Sequence, residues 1–170
     1  NDLKTASFQT IPRYWISEEN LESTLEKKSV KIEGLRWFLG FRNAISSVAD
    51  SRSLVACIVP YAGIGNSMPC LIVKNGPLYA VPLLASMNSF ILDFIMRQKA
   101  GGSNLNFYIF DQLPFLPPSD FEEPAPWSTS ERILDWLLPR VLELTYTSSD
   151  LKEFAVDCGY CGPPFKWDSD

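Results

Sequence analysis

The 170-residue chain reads as an α+β fold: a small mixed or antiparallel sheet packed by one long helix, with a C-terminal helical appendage. Three observations predict this. Over 83–97, Leu83, Leu84, Met87, Phe90, Ile91, Phe94 and Ile95 recur at helical spacing and form one apolar stripe. Short apolar runs at 35–41, 54–59 and 70–73, separated by turn-rich segments, have the length and composition of strands. A Pro/Glu-rich stretch, 119–127, then divides a first domain, 1–118, from a second helical segment, 128–170.

Taken in order, Ser17 is placed to cap a helix running through Lys28, with Leu21 and Leu25 as its apolar side and Glu18, Glu19, Glu22 and Glu26 on a solvated face. Trp37, Phe38 and Leu39 belong to a buried strand in which Gly40 marks a close backbone approach or bulge. Residues 44–48 are a second strand candidate and 49–53 a polar turn. The unbroken apolar run 54–59 predicts a strand buried on both faces. Gly63 and Gly65 lie in a loop; with neither a third glycine nor a following helix they read as turn chemistry, not a dinucleotide site.

The helix at 83–97 ends with Arg97 and Lys99 in its last turn, where cations complement the dipole, and Gly101-Gly102 stops it. Leu105, Phe107 and Ile109 then alternate with Asn104, Asn106 and Tyr108, the pattern of a half-buried strand. Past the Pro/Glu-rich stretch, Ser128 or Thr129 is expected to cap a helix with Glu131 in its first turn. Pro139 should kink that helix or start a fresh segment, and a last helix over 149–157 should end at Gly159.

Composition excludes several classes. The chain contains no histidine, which removes His-based triads, His general bases and His metal ligands together. No apolar run reaches the roughly 18 residues of a membrane span. The first residues lack the basic and apolar regions of a signal peptide, and cytoplasmic residence is the expectation. Cys158-Gly159-Tyr160-Cys161 is a C-x-x-C, but it stands at a helix C-terminus, where the dipole does not favour a thiolate, so no metal or redox role is expected. The net charge of −5 argues against nucleic acid only mildly, because its distribution is uneven. Residues 1–116 carry 11 basic and 9 acidic side chains, net +2, whereas 117–170 carry 4 and 11, net −7.

Several segments resemble the target-recognition domain of type IIG-like, single-chain restriction–modification enzymes that methylate adenine. They are Pro12-Arg13-Tyr14-Trp15, Leu39-Gly40-Phe41-Arg42, Asp50-Ser51-Arg52-Ser53, Leu83-Leu84-Ala85, Met87-Asn88-Ser89-Phe90, Asp93-Phe94, Arg97-Gln98-Lys99, Gly101-Gly102, Asn104-Leu105-Asn106 and Gln112-Leu113-Pro114. The resemblance continues through Leu142–Tyr146 and 159–167 and so covers nearly the whole chain; Met87, Ala100 and Cys161 depart from the usual residues.

The resemblance implies a DNA-recognition fragment whose partners are double-stranded DNA and the methyltransferase domain of the same polypeptide, with no membrane. Both chain ends read as cut from something longer. No D/N-P-P-Y/F motif and no Gly-rich cofactor loop is present, so no catalytic or cofactor-binding residue is expected in this fragment. S-adenosylmethionine would bind the missing catalytic domain.

Base edges are read best by Arg and Lys on guanine and by Asn or Gln on adenine. Arg97, Lys99, Ser103, Asn104 and Asn106 concentrate such side chains at the helix–strand junction. Gly101 and Gly102 open backbone N–H groups to phosphate. Arg42, Asn43 and Arg52, with Ser51 and Ser53, form a second polar cluster. Asn104 and Asn106 serve equally well as turn partners, and Arg97 and Lys99 as helix caps. A protein-docking module of the same enzyme is the alternative function.

Overall fold

The computed structural model describes residues 11, 15–32, 34–45, 51–74 and 76–166. The fold is α+β. Helix α1 (Glu18–Lys27) starts where Ser17 Oγ accepts a hydrogen bond from the Asn20 N–H at 3.3 Å, the cap expected from the sequence. Arg36, ahead of the sheet, pairs with Glu18 and stacks over the Tyr61 ring, tying this helix to the strands.

Strands β1 (Trp37–Phe41), β2 (Ala56–Pro60) and β3 (Cys70–Leu71) form an antiparallel sheet in the order β2-β1-β3. Leu39 stands opposite Ile58 on one side and Leu71 on the other, while Gly40 faces Cys57 and Cys70. Period-2 alternation sends Trp37, Leu39, Phe41, Ala56 and Ile58 into the main core. Gly40 is the close approach its position suggested: an added Cβ would stand 2.9 Å from Met68 Cγ. The expectation of two buried faces for 54–59 is corrected, since Cys57 is exposed between buried Ala56 and Ile58. Of the 44–48 strand candidate, Ala44 forms an isolated bridge to Asn104; residues 46–50 lie outside the described residues, as do Pro12, Arg13, Tyr14 and Trp167.

The expected single helix over 83–97 is two helices, α2 (Ala80–Met87) and α3 (Phe90–Lys99), bent by 67°. Asn88 closes α2, and Ser89 opens α3 by accepting from the Leu92 N–H at 3.1 Å. A capping serine inside an apolar stripe restarts the helix in a new direction. Among the described residues no single helix is long and apolar enough to cross a membrane.

The alternation at 104–109 does not make a strand either. Beyond the Ala44–Asn104 bridge the chain turns into helix α4 (Phe107–Phe110). Phe110 stacks on Phe41 with ring centroids 4.8 Å apart and planes 7° apart, and Phe107 meets the same ring edge-on at 5.8 Å.

Residues 118–121 form a 3-10 turn whose Phe121 is buried, and Pro124 bridges to Arg132. Helix α5 (Ile133–Thr145) packs against α2 and runs through Pro139 without interruption. Neither Ser128 nor Thr129 caps it. Ser128 Oγ instead accepts from the Ser130 and Glu131 N–H groups in a turn ahead of the helix, and Arg132 holds the cap position, paired with Asp135 and Glu122.

Helix α6 (Lys152–Asp157) follows a 3-10 turn over Ser149–Leu151. It ends at Gly159 (φ 82°) with Tyr160 N–H on the Ala155 carbonyl and Gly159 N–H on that of Val156, a Schellman closure. Trp37 donates from Nε1 to Asp157 at 2.8 Å and meets Phe154 edge-on at 5.0 Å, so the last helix seals the first strand. Leu134, Val141, Leu142, Tyr146 and Phe154 share one apolar cluster with Leu39, Met87 and Leu105.

Candidate functional site

The segment after α3 is a surface ridge pinned by one buried side chain. Leu105 is fully buried, while Gln98, Lys99, Gly101, Gly102, Ser103, Asn104, Asn106, Phe107 and Tyr108 around it are exposed. Two backbone hydrogen bonds hold the ridge and make the Ala44–Asn104 bridge: Leu105 N–H donates to the Asn43 carbonyl at 2.7 Å and Ile45 N–H to the Ser103 carbonyl at 2.9 Å.

Anchoring through the main chain leaves the side chains outward. Among the described residues Asn104 Nδ2 reaches only Ser103 Oγ, at 3.4 Å, and the Asn106 side chain makes no capping bond to α4. Lys99 has no ion pair among the described residues. The ridge thus presents a cation, three carboxamides, a serine hydroxyl, two glycines and an exposed tyrosine.

The arginines are employed differently. All three converge on the turn at 51–54. Arg42 Nη2 donates to the Arg52 carbonyl at 2.8 Å, and Arg97 Nη2 to the Ser51 carbonyl at 2.7 Å. Arg52 Nη2 donates to the Asn88 carbonyl at 2.7 Å, where a cation complements the C-terminus of α2, and its guanidinium lies 4.7 Å from the Phe90 ring centroid.

At the centre stands Asp93, 5% exposed. Its Oδ1 accepts from the Ser53 and Leu54 N–H groups at 2.8 and 2.7 Å, and its Oδ2 is 3.1 Å from Arg97 Nε and 3.6 Å from Arg52 Nε. Burial pushes the Asp93 carboxyl up, but the two N–H bonds and Arg97 outweigh it, and the pKa falls below its ordinary value. This is a structural clamp: it fixes the turn to α3 and partly neutralises two of the cations.

Sequence reasoning assigned no role to Asp93 or Asn88. Asn88 acts as a substitute strand: its Oδ1 accepts from the Ala56 N–H at 3.0 Å and its Nδ2 donates to the Ala56 carbonyl at 2.9 Å, closing the free edge of β2. The Asp93/Arg97 spacing of four on one helix was the available signal for the clamp.

The structure therefore joins the two polar clusters that the sequence kept apart. Arg42 and Asn43 are consecutive; the first touches the arginine turn and the second supports the ridge. Lys99, Ser103, Asn104 and Asn106 lie on the outer surface. Arg42, Asn43, Arg52 and Arg97 are half-buried supports behind it, Asn43 also donating to the Asn66 carbonyl at 3.3 Å.

A third feature adjoins them. Phe90, Ile91 and Phe94, read from the sequence as core, are 79%, 75% and 63% exposed on α3. Elsewhere, Cys158 is buried at the end of α6 with its thiol pushed up to about 12 by burial, and Cys161 is exposed. Comparison of the chain with protein-family models, with curated proteins and with solved structures gave no match.

Proposed function

We infer that this chain is the DNA sequence-recognition part of a site-specific adenine-N6 methyltransferase of the single-chain restriction–modification kind. The catalytic domain, with its S-adenosylmethionine, lies elsewhere in the same polypeptide. The supporting observation is the ridge 98–108, whose backbone is fixed by Leu105 and the 43–45 segment while its polar side chains face outward.

The mechanism is positioning. Lys99 and the N–H groups of Gly101 and Gly102 meet phosphates and set the register; Asn104 and Asn106 offer the paired donor and acceptor that match an adenine edge in the major groove. The buried Arg52–Asp93–Arg97 clamp keeps the helix and turn rigid behind them. Methyl transfer to a flipped adenine then falls to the catalytic domain.

Sequencing of methylated sites tests this with the full-length enzyme and a variant carrying Asn104→Ala and Asn106→Ala. The expected result is a relaxed or altered motif with S-adenosylmethionine binding retained; loss of one good bidentate contact amounts to about 1–3 kcal/mol of discrimination. An unchanged motif and rate overturn the reading. Phe90, Ile91 and Phe94 favour a second reading, a docking module of the same enzyme without base contacts, since exposed apolar groups gathered on one helix face are suited to protein partners.

A further inference from the structure

One side of the sheet gathers sulfur. In the register of the sheet Gly40 of β1 lies directly between Cys57 of β2 and Cys70 of β3, so the two cysteines flank a residue that has no side chain. Residues paired across antiparallel strands share a face. Met68 enters the space above the glycine: its Cγ and Sδ lie 2.9 and 3.0 Å from the point where a Gly40 Cβ would stand, and Cys70 Sγ lies 3.6 Å from the same point. The sulfurs of Met68 and Cys70 thus border the space over Gly40, and the register places Cys57 across it on the same face. Cys57 is exposed, and Met68 and Cys70 line an open groove, which gives an ion an entry path.

These cysteines do not suit a disulfide. Two inter-strand spacings put their Cα atoms roughly 9–10 Å apart, whereas a disulfide needs less than about 7 Å. An ion held at about 2.3 Å from each sulfur spans a gap that a direct S–S bond does not. The donor set decides which ion. The chain has no histidine, and among the described residues no three His, Cys, Asp or Glu side chains gather into a metal group, so the four hard or borderline ligands of a zinc site are missing. Two thiolates and one thioether are soft donors and satisfy an ion content with two or three ligands.

We propose that Cys57, Met68 and Cys70 form a binding site for one soft monovalent ion, Cu(I) or its analogue Ag(I). Binding replaces the two thiol protons with the ion, so each Cu(I) taken up releases up to two protons to solvent and leaves the sulfur oxidation states unchanged. Burial, with a smaller contribution from Cys57, pushes the Cys70 thiol up to about 11.

The test uses the reduced protein under anaerobic conditions, titrated with Cu(I) against a chromophoric Cu(I) chelator and, separately, with Ag(I). One equivalent of tightly held ion is expected, lost in Cys57→Ser/Cys70→Ser and retained in Cys158→Ser/Cys161→Ser. Met68→Leu, which keeps the volume over Gly40, should weaken binding by at least about tenfold, the scale on which even outer partners of a metal act. In the wild-type chain, one equivalent of Ag(I) should shield Cys57 and Cys70 from alkylation and leave Cys161 reactive; this readout needs no variant to fold. Retention of the ion by the Cys57/Cys70 variant, or shielding of Cys161 in place of Cys57 and Cys70, overturns the proposal.

Discussion

Helices α2 and α3 are neighbours in sequence, share one apolar stripe, and use it in opposite ways. Helix α2 buries Ala80, Val81, Pro82, Leu84 and Met87 and is held by packing against the sheet and α5. Helix α3 buries Leu92 and Met96 but also Asp93, and turns Phe90, Ile91 and Phe94 to solvent. The difference starts at Asn88-Ser89. There the chain bends by 67°, and the side of the stripe that continued toward the core in α2 leaves it in α3. What replaces the missing apolar contact is a polar anchor: Asp93 on the 53–54 N–H groups, Asn88 on Ala56, and Arg52 on the last carbonyl of α2.

The sharpest way to break this contrast is to remove the anchor. Asp93→Ala strips two buried N–H groups of their acceptor and leaves two half-buried guanidinium groups without their carboxylate, so a loss of about 3–5 kcal/mol in urea unfolding is expected. The effect carries a pH signature. The Asp93 pKa is depressed in the folded chain, so its contribution is full above the unfolded value, near 3.8, and is lost as pH falls through the lower folded pKa. Asp93→Asn should therefore flatten the acid side of the stability profile below that value. An unchanged profile would show that the carboxylate is not what holds α3.

A smaller effect separates edge protection from core packing. Asn88→Ala leaves the Ala56 N–H and carbonyl without their partners, at a cost of about 1–3 kcal/mol. Met87→Ala, one residue earlier and fully buried, costs about 2–5 kcal/mol through lost transfer energy and a cavity. Hydrogen exchange at Ala56 tells the two apart. It should accelerate in the Asn88 variant beyond what global destabilisation explains, and track global stability alone in the Met87 variant.

How much was legible follows the same line between local and tertiary causes. The Ser17 cap, strand β1 and the Gly159 stop are set by residues within a turn of one another, and each was readable; the Gly40 approach was readable from the glycine alone, although the residue that approaches it, Met68, is distant in sequence. The break at Ser89 was hidden because an apolar stripe continues across it, and seven apolar residues outweigh one serine in any periodicity count. The α4 turn was hidden because Leu105, Phe107 and Ile109 fit a period of two while Phe107 and Phe110 fit a helical turn; stacking on Phe41, distant in sequence, selects the helix. At the candidate site, residue type located the ridge, but not that Arg42, Arg52 and Arg97 would be committed to a turn. Side chains that suit nucleic acid also suit backbone carbonyls, and only the fold assigns them.

The smallest expected change in stability belongs to the face that α3 exposes. Phe94→Ser and Ile91→Ser remove little buried area, so each should lie within about 0.5 kcal/mol of wild type. Phe90→Ser should cost slightly more, because it gives up the Arg52 guanidinium stacked on its ring, a contact of about 0.5–1 kcal/mol at an exposed site. Function is where these substitutions discriminate. If α3 is a docking face, the triple variant loses association with the rest of the proposed enzyme at unchanged thermal stability, while ridge substitutions at Asn104 and Asn106 leave association intact. If the triple variant instead unfolds at markedly lower denaturant, the three side chains belong to the core after all, and the contrast between α2 and α3 collapses.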